Sequence, residues 1–354
     1  TVGQLGDSTL VSKSSPVQIG TSSWSSVSAG SNTAYGILTT GALYAWGVNS
    51  SGSVGDASTT TRSSPVKIGT SSWKQISGGG ALSGSGDFVL GILTTGALYA
   101  WGYGVGGALG NGLAGNVSSP VQIGTSSWSL VAAGGDHSLG ILTTGALFAW
   151  GTNTYGALGD GTTVNKSSPI TVGTSSWSSV SAGYKFSAGR LFNSGVYYTW
   201  GNSAVGGTAL GDLANRSSPV AVGSSSWAQV TTGGPNSTIT NFINGAGQTY
   251  SAGWNSGGVL NNGRVGQNWL TPTNGSTTSW AQVTSSRGGV TNGGNVSVGI
   301  DSVGGIYVWG DNQAGQIGDS TLVPKASPIK LGTGSWSQVA AGDNYVLAIT
   351  SGGA

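Results

Sequence analysis

Cysteine, methionine and glutamate are absent from this 354-residue chain, and histidine occurs once, at His137. Without cysteine there are no disulfides, no zinc–thiolate sites and no thiol catalysis, and the redox compartment stays open. Charge is scarce as well: 12 Lys or Arg against 10 Asp leave a net +2. So small a difference between small numbers marks no nucleic-acid footprint. No apolar run reaches the length of about 18 residues that a membrane-spanning helix needs. No signal peptide is visible. A chain that begins at Thr1 and holds no methionine reads as a processed form or a segment of something longer.

What is abundant is glycine, 67 residues of 354, against a usual share of about 7%. A chain poor in strong helix formers and crowded with glycine argues against helical and doubly wound folds. It also argues against disorder, because 14 Trp, 11 Tyr and 37% hydrophobic residues can build a core.

Internal repetition organises the whole length. A Ser-Ser-Trp or near relative recurs at Trp24, Trp73, Trp128, Trp177, Trp227, Trp280 and Trp336, with spacings of 49, 55, 49, 50, 53 and 56 residues. A period near 50 made of short strand-like pieces is the size of a propeller blade. In the first unit four strand signals follow in order: Pro16–Gly20, Trp24–Gly30, Ala34–Leu38 and Leu43–Gly47, with a tight turn at Thr39–Ala42. The expectation is an all-β, seven-bladed β-propeller of four antiparallel strands per blade, one unit over residues 1–354, with its seventh blade incomplete.

The spacings vary in one place only. From each strand-opening Pro to the next Ser-Ser-Trp indole is 8 residues throughout, and from the Trp-Gly pair to the next such Pro is 19, or 20 where Ala252 replaces the Trp. Between these, the counts run 22, 28, 22, 23, 25 and 29, the extra residues falling mostly in loops such as Gly79–Gly86 and Ser285–Asn295. In a four-strand meander those loops and the long connectors share one rim, while tight turns occupy the other. Function tends to sit on loops held by a rigid scaffold, and drift at a tolerant surface is the bland counterpart.

The segment Val131-Ala132-Ala133-Gly134-Gly135-Asp136-His137-Ser138-Leu139-Gly140-Ile141 resembles the signature of RCC1 (regulator of chromosome condensation) repeats. Trp150-Gly151 followed by Gly156-Ala157-Leu158-Gly159-Asp160 is similar to the rest of that repeat. The resemblance covers essentially the whole chain and implies a seven-bladed propeller. Members of that family include guanine-nucleotide exchange factors for a small GTPase and interaction modules of several kinds, so the fold implied does not choose a function. The signature histidine survives only at His137; its counterparts read as Thr33, Phe186, Asn236 and Tyr345, with units two and six too altered to align. A position whose chemical class drifts so far carries no shared catalytic role, and His137 reads as structural.

Asp7, Asp56, Asp160, Asp212 and Asp319 follow the Leu-Gly or Val-Gly of each connector, with Asn111 at the same place once. They are single and one blade apart, which suits turn capping rather than calcium. Neither a hydrolase pair nor a phosphate loop is recognisable, so no catalytic residue, cofactor or metal ligand is expected. The repeated Trp pairs read as blade-to-blade packing. Trp254 and Trp269 stand off the repeat register, with Arg264 and Asn268 beside them and Arg287 in the neighbouring insertion. Exposed Trp and Arg are common interface anchors, and a degenerate blade repacked around them is the other reading. Together with Ala81, Leu82 and Asp87 of the unit-two loop, these make the candidate partner-binding set.

Joining the two ends leaves roughly one strand of the Leu-Tyr-Ala-Trp-Gly type missing from the seventh unit. It lies in sequence outside this chain, or is an outermost strand whose loss is tolerated, or is supplied by a neighbouring subunit. The first is favoured. The leading functional expectation is a non-enzymatic structural or adhesive module outside the cell, on a cell surface or virion. It would bind a protein or glycan through its loop-rich rim, with no nucleic acid and no membrane insertion. The alternative is an intracellular RCC1-type regulator such as an exchange factor.

Overall fold

The computed structural model describes residues 2–80, 86–233, 239–255, 258–276, 278–286 and 295–353. Its described residues form 24 strands and one short 3-10 turn at Val105–Gly107. The first sheet is β1 (Trp24–Ala29), β2 (Thr33–Leu38), β3 (Leu43–Gly47) and β4 (Arg62–Lys67), paired antiparallel in that order. The second is β5 (Trp73–Gly80), β6 (Asp87–Leu93), β7 (Leu98–Gly102) and β8 (Val117–Gln122). The third holds β9 (Trp128–Ala133), β10 (His137–Leu142), β11 (Ala146–Gly151) and the first part of β12 (Lys166–Ala182). The rest of β12 opens the fourth, with β13 (Phe186–Leu191), β14 (Val196–Gly201) and the first part of β15 (Arg216–Thr232).

The fifth runs from the end of β15 through β16 (Ile239–Asn244), β17 (Thr249–Gly253) and β18 (Trp269–Ser276). The sixth is β19 (Trp280–Ser285), β20 (Val296–Asp301), β21 (Ile306–Gly310) and β22 (Lys325–Lys330). Only β23 (Trp336–Ala341) and β24 (Val346–Thr350) form the seventh. This is the all-β propeller expected, with two differences. Each sheet opens at the Ser-Ser-Trp strand and closes on the next unit's Pro strand, because the Trp-Gly strand pairs on its outer edge with the segment its connector returns. Residues 16–20, expected as a strand, are not one. A strand needs a hydrogen-bonded neighbour, and the neighbour here would be the seventh blade's third strand.

Packing follows the aromatic repeats. In blade three Trp128 packs edge-on against Phe148 and Trp150, with ring centroids 5.6 and 5.8 Å apart; blades one, two, four and six repeat that triad. The indole lies flat on Gly140, where a Cβ would overlap it, so glycine at this strand centre is a packing requirement. Successive blades are tied through the third-strand Trp. Trp101, Trp150 and Trp309 each donate the indole N–H to a carbonyl of the preceding connector, Ser53, Ala108 and Val259, at 2.9 Å. Trp46 repeats this contact on the Gln4 carbonyl at 2.9 Å, and the last blade joins the first through the Tyr345 hydroxyl, which donates to the Thr33 carbonyl at 2.8 Å.

Candidate functional site

The two ends of the blades differ as expected. The loops between first and second strands meet the start of each connector, as in Val48 N–H to Asn32 C=O and Thr152 N–H to Asp136 C=O. Among the described residues the opposite end holds only tight turns, such as Trp73 N–H to Gly41 C=O. Variable loops therefore gather on one face, and candidate side chains there are sorted by what holds them.

The connector aspartates are caps. Asp160 accepts from Thr162 N–H at 3.0 Å, and Asp7, Asp56, Asp212 and Asp319 accept from the residue two further on in the same way. Asn111 does so at the substituted place, taking the Leu113 N–H at 3.0 Å. Each carboxylate also meets a cation downstream: Lys13, Arg62, Lys166, Arg216 and Lys325. Hydrogen bonds from Ser, Thr and backbone N–H groups with these cations outweigh burial, holding the Asp56 and Asp160 carboxyls below the usual range and Asp319 at about 2. The Lys or Arg four or six residues after each Asp was legible in the sequence and went unread.

His137 is fully buried, its Nε2 2.9 Å from the Ser187 hydroxyl. The strand register identifies its counterparts as the residues opposite the Trp-Gly glycine: Thr33, Phe88, Phe186, Ile239 and Val296. This corrects Asn236, which lies outside the described residues; the variable loop before Ile239 displaced the sequence alignment by three positions. An imidazole in a place shared with Phe, Ile and Val is core.

Of the expected partner-binding residues, Ala81, Leu82 and Arg287 lie outside the described residues. Asp87 is not a rim contact. Only 4% exposed, its carboxylate accepts Ser31 N–H at 3.1 Å and Asn32 N–H at 2.8 Å, clasping blade one to blade two. Burial nonetheless raises its pKa above the usual carboxylate range. The structure brings Arg264, Asn268 and Trp269 together on blade five. Arg264 and Asn268 are exposed, and the Arg264 guanidinium stands 5.9 Å from the Trp269 ring. Asn268 accepts the Asn255 N–H at 3.3 Å. Trp269 is half-buried on Ile239, Val259 and Leu260, so part of its surface is core. Trp254 is half-buried at the start of the same connector.

A second group, missed in the sequence, lies on the loop face of blades three and four. Lys185 extends its ammonium over two rings, 4.7 Å from Tyr184 and 5.1 Å from Tyr155. Tyr184 in turn lies against Gly135, where a Cβ would overlap the ring. Burial lifts the neighbouring Asp136 carboxyl to about 6, against the opposing pull of the Lys185 charge. An acid that titrates near neutrality, a cation and two tyrosines thus share one loop cluster. The signal was Gly183-Tyr184-Lys185, where the other short loops read Gly30-Ser31-Asn32, Gly134-Gly135-Asp136 and Gly342-Asp343-Asn344. Among the described residues no group of three or more His, Asp or Glu is placed to hold a metal ion.

No curated protein matches the sequence. The fold is shared with human WBSCR16, at 18% identity and a TM-score of 0.80 over 94% of this chain and 88% of that one. It is also similar to Prp20p of Saccharomyces cerevisiae, described with its binding to Gsp1p and histones, at 16% identity and 0.78 over 91% and 81%. A second structure of that yeast RCC1, bound to Kap60, matches at 16% identity and 0.76 over 91% and 79%. These findings overturn the expectation of a structural or adhesive module outside the cell or on a virion. The yeast structures name protein partners, Gsp1p, histones and Kap60, and together with the repeat match they favour the alternative, an RCC1-type regulator, over that expectation. The family model "Regulator of chromosome condensation (RCC1) repeat" matches residues 40–84, 95–141, 144–189 and 303–349, and its second form matches 24–53 and 128–157. More than half of the sequence is thereby accounted for, and the chain belongs to the RCC1 repeat family.

Proposed function

We propose that this chain is an intracellular RCC1-type regulator that works by docking a protein, a small GTPase, on its loop-bearing face, without chemistry of its own. The observation that carries it is the Asp136–Tyr155–Tyr184–Lys185 cluster, an amphipathic surface of two tyrosines and one cation beside a tunable acid. Tyr and Lys held this way present area and charge at low entropic cost, which suits a protein partner. Support also comes from the Gsp1p binding described for the similar yeast protein. Histones are the weaker choice of partner class, because ten acids offset by twelve bases build no acidic field. Arg264 and Asn268, exposed beside Trp269, form a second contact patch in the same proposal.

The test is titration of the chain into Gsp1p loaded with a fluorescent guanine nucleotide. Saturable binding with accelerated nucleotide release is expected. Lys185→Ala combined with Tyr184→Ala should weaken it about tenfold, roughly 1.4 kcal/mol, with little change in thermal unfolding. Absence of binding to Gsp1p, or equal binding by the double variant, would overturn the reading.

A further inference from the structure

At the end of the ring that carries the tight turns, blade four departs from the repeat. Blades one, two, three, five and six place Ile37, Ile92, Ile141, Ile243 and Ile300 at one register position, each at most 4% exposed. In blade four that place is Arg190, paired across to Ser179 on one side and Tyr197 on the other. The main chain keeps the common pattern. Ser178 Oγ donates to Arg190 C=O at 3.3 Å, as Ser25 Oγ does to Ile37 C=O at 3.0 Å. Phe192 N–H donates to Ser176 C=O at 2.9 Å, as Thr39 N–H does to Ser23 C=O at 3.0 Å. Side chains and turn length are what differ. The turn from Leu191 to Gly195 is one residue longer than that from Leu38 to Gly41. Phe192, in the place of Thr39, Thr94 and Thr143, is 69% exposed.

Nothing among the described residues neutralises this guanidinium. Its Nε is buried without a hydrogen-bond partner, a cost that an isoleucine in the same place does not carry. All ten aspartates are described, and their five ion pairs all lie in the connectors. The Tyr197 hydroxyl, 3.1 Å from that of Ser179, is turned to its own blade's inner strand. The outer edge of Arg190 reaches the turn: a Cβ on Gly195 would stand 3.3 Å from Arg190 Nη2 and 2.6 Å from Ser226 Oγ. At Gly41, Gly96, Gly145, Gly247 and Gly304, the matching places, the nearest side chain is the serine alone. The same end of the ring carries Lys67, Lys74 and Lys330 close to its turns. Against these four cations stands one acid, Asp301, whose carboxylate already accepts Val303 N–H at 3.0 Å and Gly305 N–H at 2.7 Å.

We infer that Arg190 and Phe192 form a binding site, at the turn-bearing end of blade four, for an acidic peptide segment of a protein partner. A Glu or Asp side chain of that segment accepts from the outer edge of the guanidinium, with the Ser226 hydroxyl donating beside it, and an adjoining apolar side chain packs on Phe192. The planar fork of an arginine matches one carboxylate through two parallel hydrogen bonds, and a single cation with a single hydroxyl suits that charge better than a phosphate dianion. Phe192, Asn193 and Ser194 are all exposed, so the surface is open and fits a ligand presented on a protein chain rather than an enclosed small molecule. Lys67, Lys74 and Lys330 give the surrounding end of the ring the complementary sign. The site lies on the face opposite the Asp136–Lys185 cluster and does not depend on the function proposed for it.

The probe is the peptide Gly-Leu-Glu-Phe-Glu-Leu-Gly, acetylated and amidated at its ends and fluorescently labelled, titrated into the chain with polarisation as the readout. Saturable binding is expected, and the same peptide with Gln for both Glu should bind at least about tenfold more weakly. Arg190→Ile restores the residue of the other blades and Phe192→Thr that of blades one to three, so both variants stay within the repeat. Each should weaken binding of the Glu peptide about tenfold without lowering Tm. Lys185→Ala with Tyr184→Ala should leave it unchanged, which separates this site from the opposite face. No saturable binding, equal binding of the Gln peptide, or undiminished binding to Arg190→Ile or Phe192→Thr would overturn the inference. So would binding lost only in the Lys185 and Tyr184 double variant.

Discussion

Single residues in this protein are set by what the ring leaves them. Asp136 and Asp319 are both aspartates on the loop face of a blade, and their environments push them in opposite directions. Asp136 is raised to about 6 because burial outweighs the Lys185 charge. Its folded form binds the proton more tightly than the unfolded chain does. The associated stability is therefore fully present below about pH 4 and is lost as pH rises through about 6. Asp87, also raised by burial, adds the same sign. Thermal unfolding followed from pH 4 to 7 should show Tm declining across this window, and Asp136→Asn should flatten the decline. A slope unchanged by that substitution would remove Asp136 as its source.

At the level of elements, the connector is the unit that repeats most faithfully. Its Asp, the Ser or Thr two residues on, and the downstream Lys or Arg close one hydrogen-bonded loop, seen fully in Asp319, Thr321 and Lys325. With Asp319 held at about 2, this stability is present above about pH 4 and lost as pH falls toward 2. The ion pair itself is near the surface and contributes little, whereas the capped N–H is the larger part. Asp319→Asn keeps an acceptor, as Asn111 does naturally, and should cost well under 1 kcal/mol, while Asp319→Ala should cost about 1 kcal/mol at pH 7. Urea denaturation of the two variants separates these outcomes; equal losses would mean that charge, not capping, matters.

For the whole molecule, the propeller is a ring whose seams repeat one arrangement. In blades two, three, four and six the seam carries a buried third strand with its Trp anchor, as at Trp150 on Ala108. In blade five Ala252 takes the place of that Trp. Local opening costs least where fewer groups hold an element in place. Hydrogen exchange read by mass spectrometry should show β17 exchanging before β11, its equivalent in blade three. Equal protection of the two strands would mean that the Trp anchor does not set local stability.

Much of this was written into the linear chain. A period near 50, glycine at strand centres and paired Trp residues determine blades, because short-range hydrogen bonding and packing require those residue types at those intervals. Capping by the connector aspartates was legible for the same reason: it acts over two residues. Tertiary structure alone decided the rest. Asp87 stands on the loop-bearing rim in sequence and inside a blade–blade clasp in space, and Asp136, Tyr155, Tyr184 and Lys185 join across two blades. Burial and apposition depend on neighbours some 50 residues away, which no local pattern encodes, so this cluster forms only when the ring is assembled.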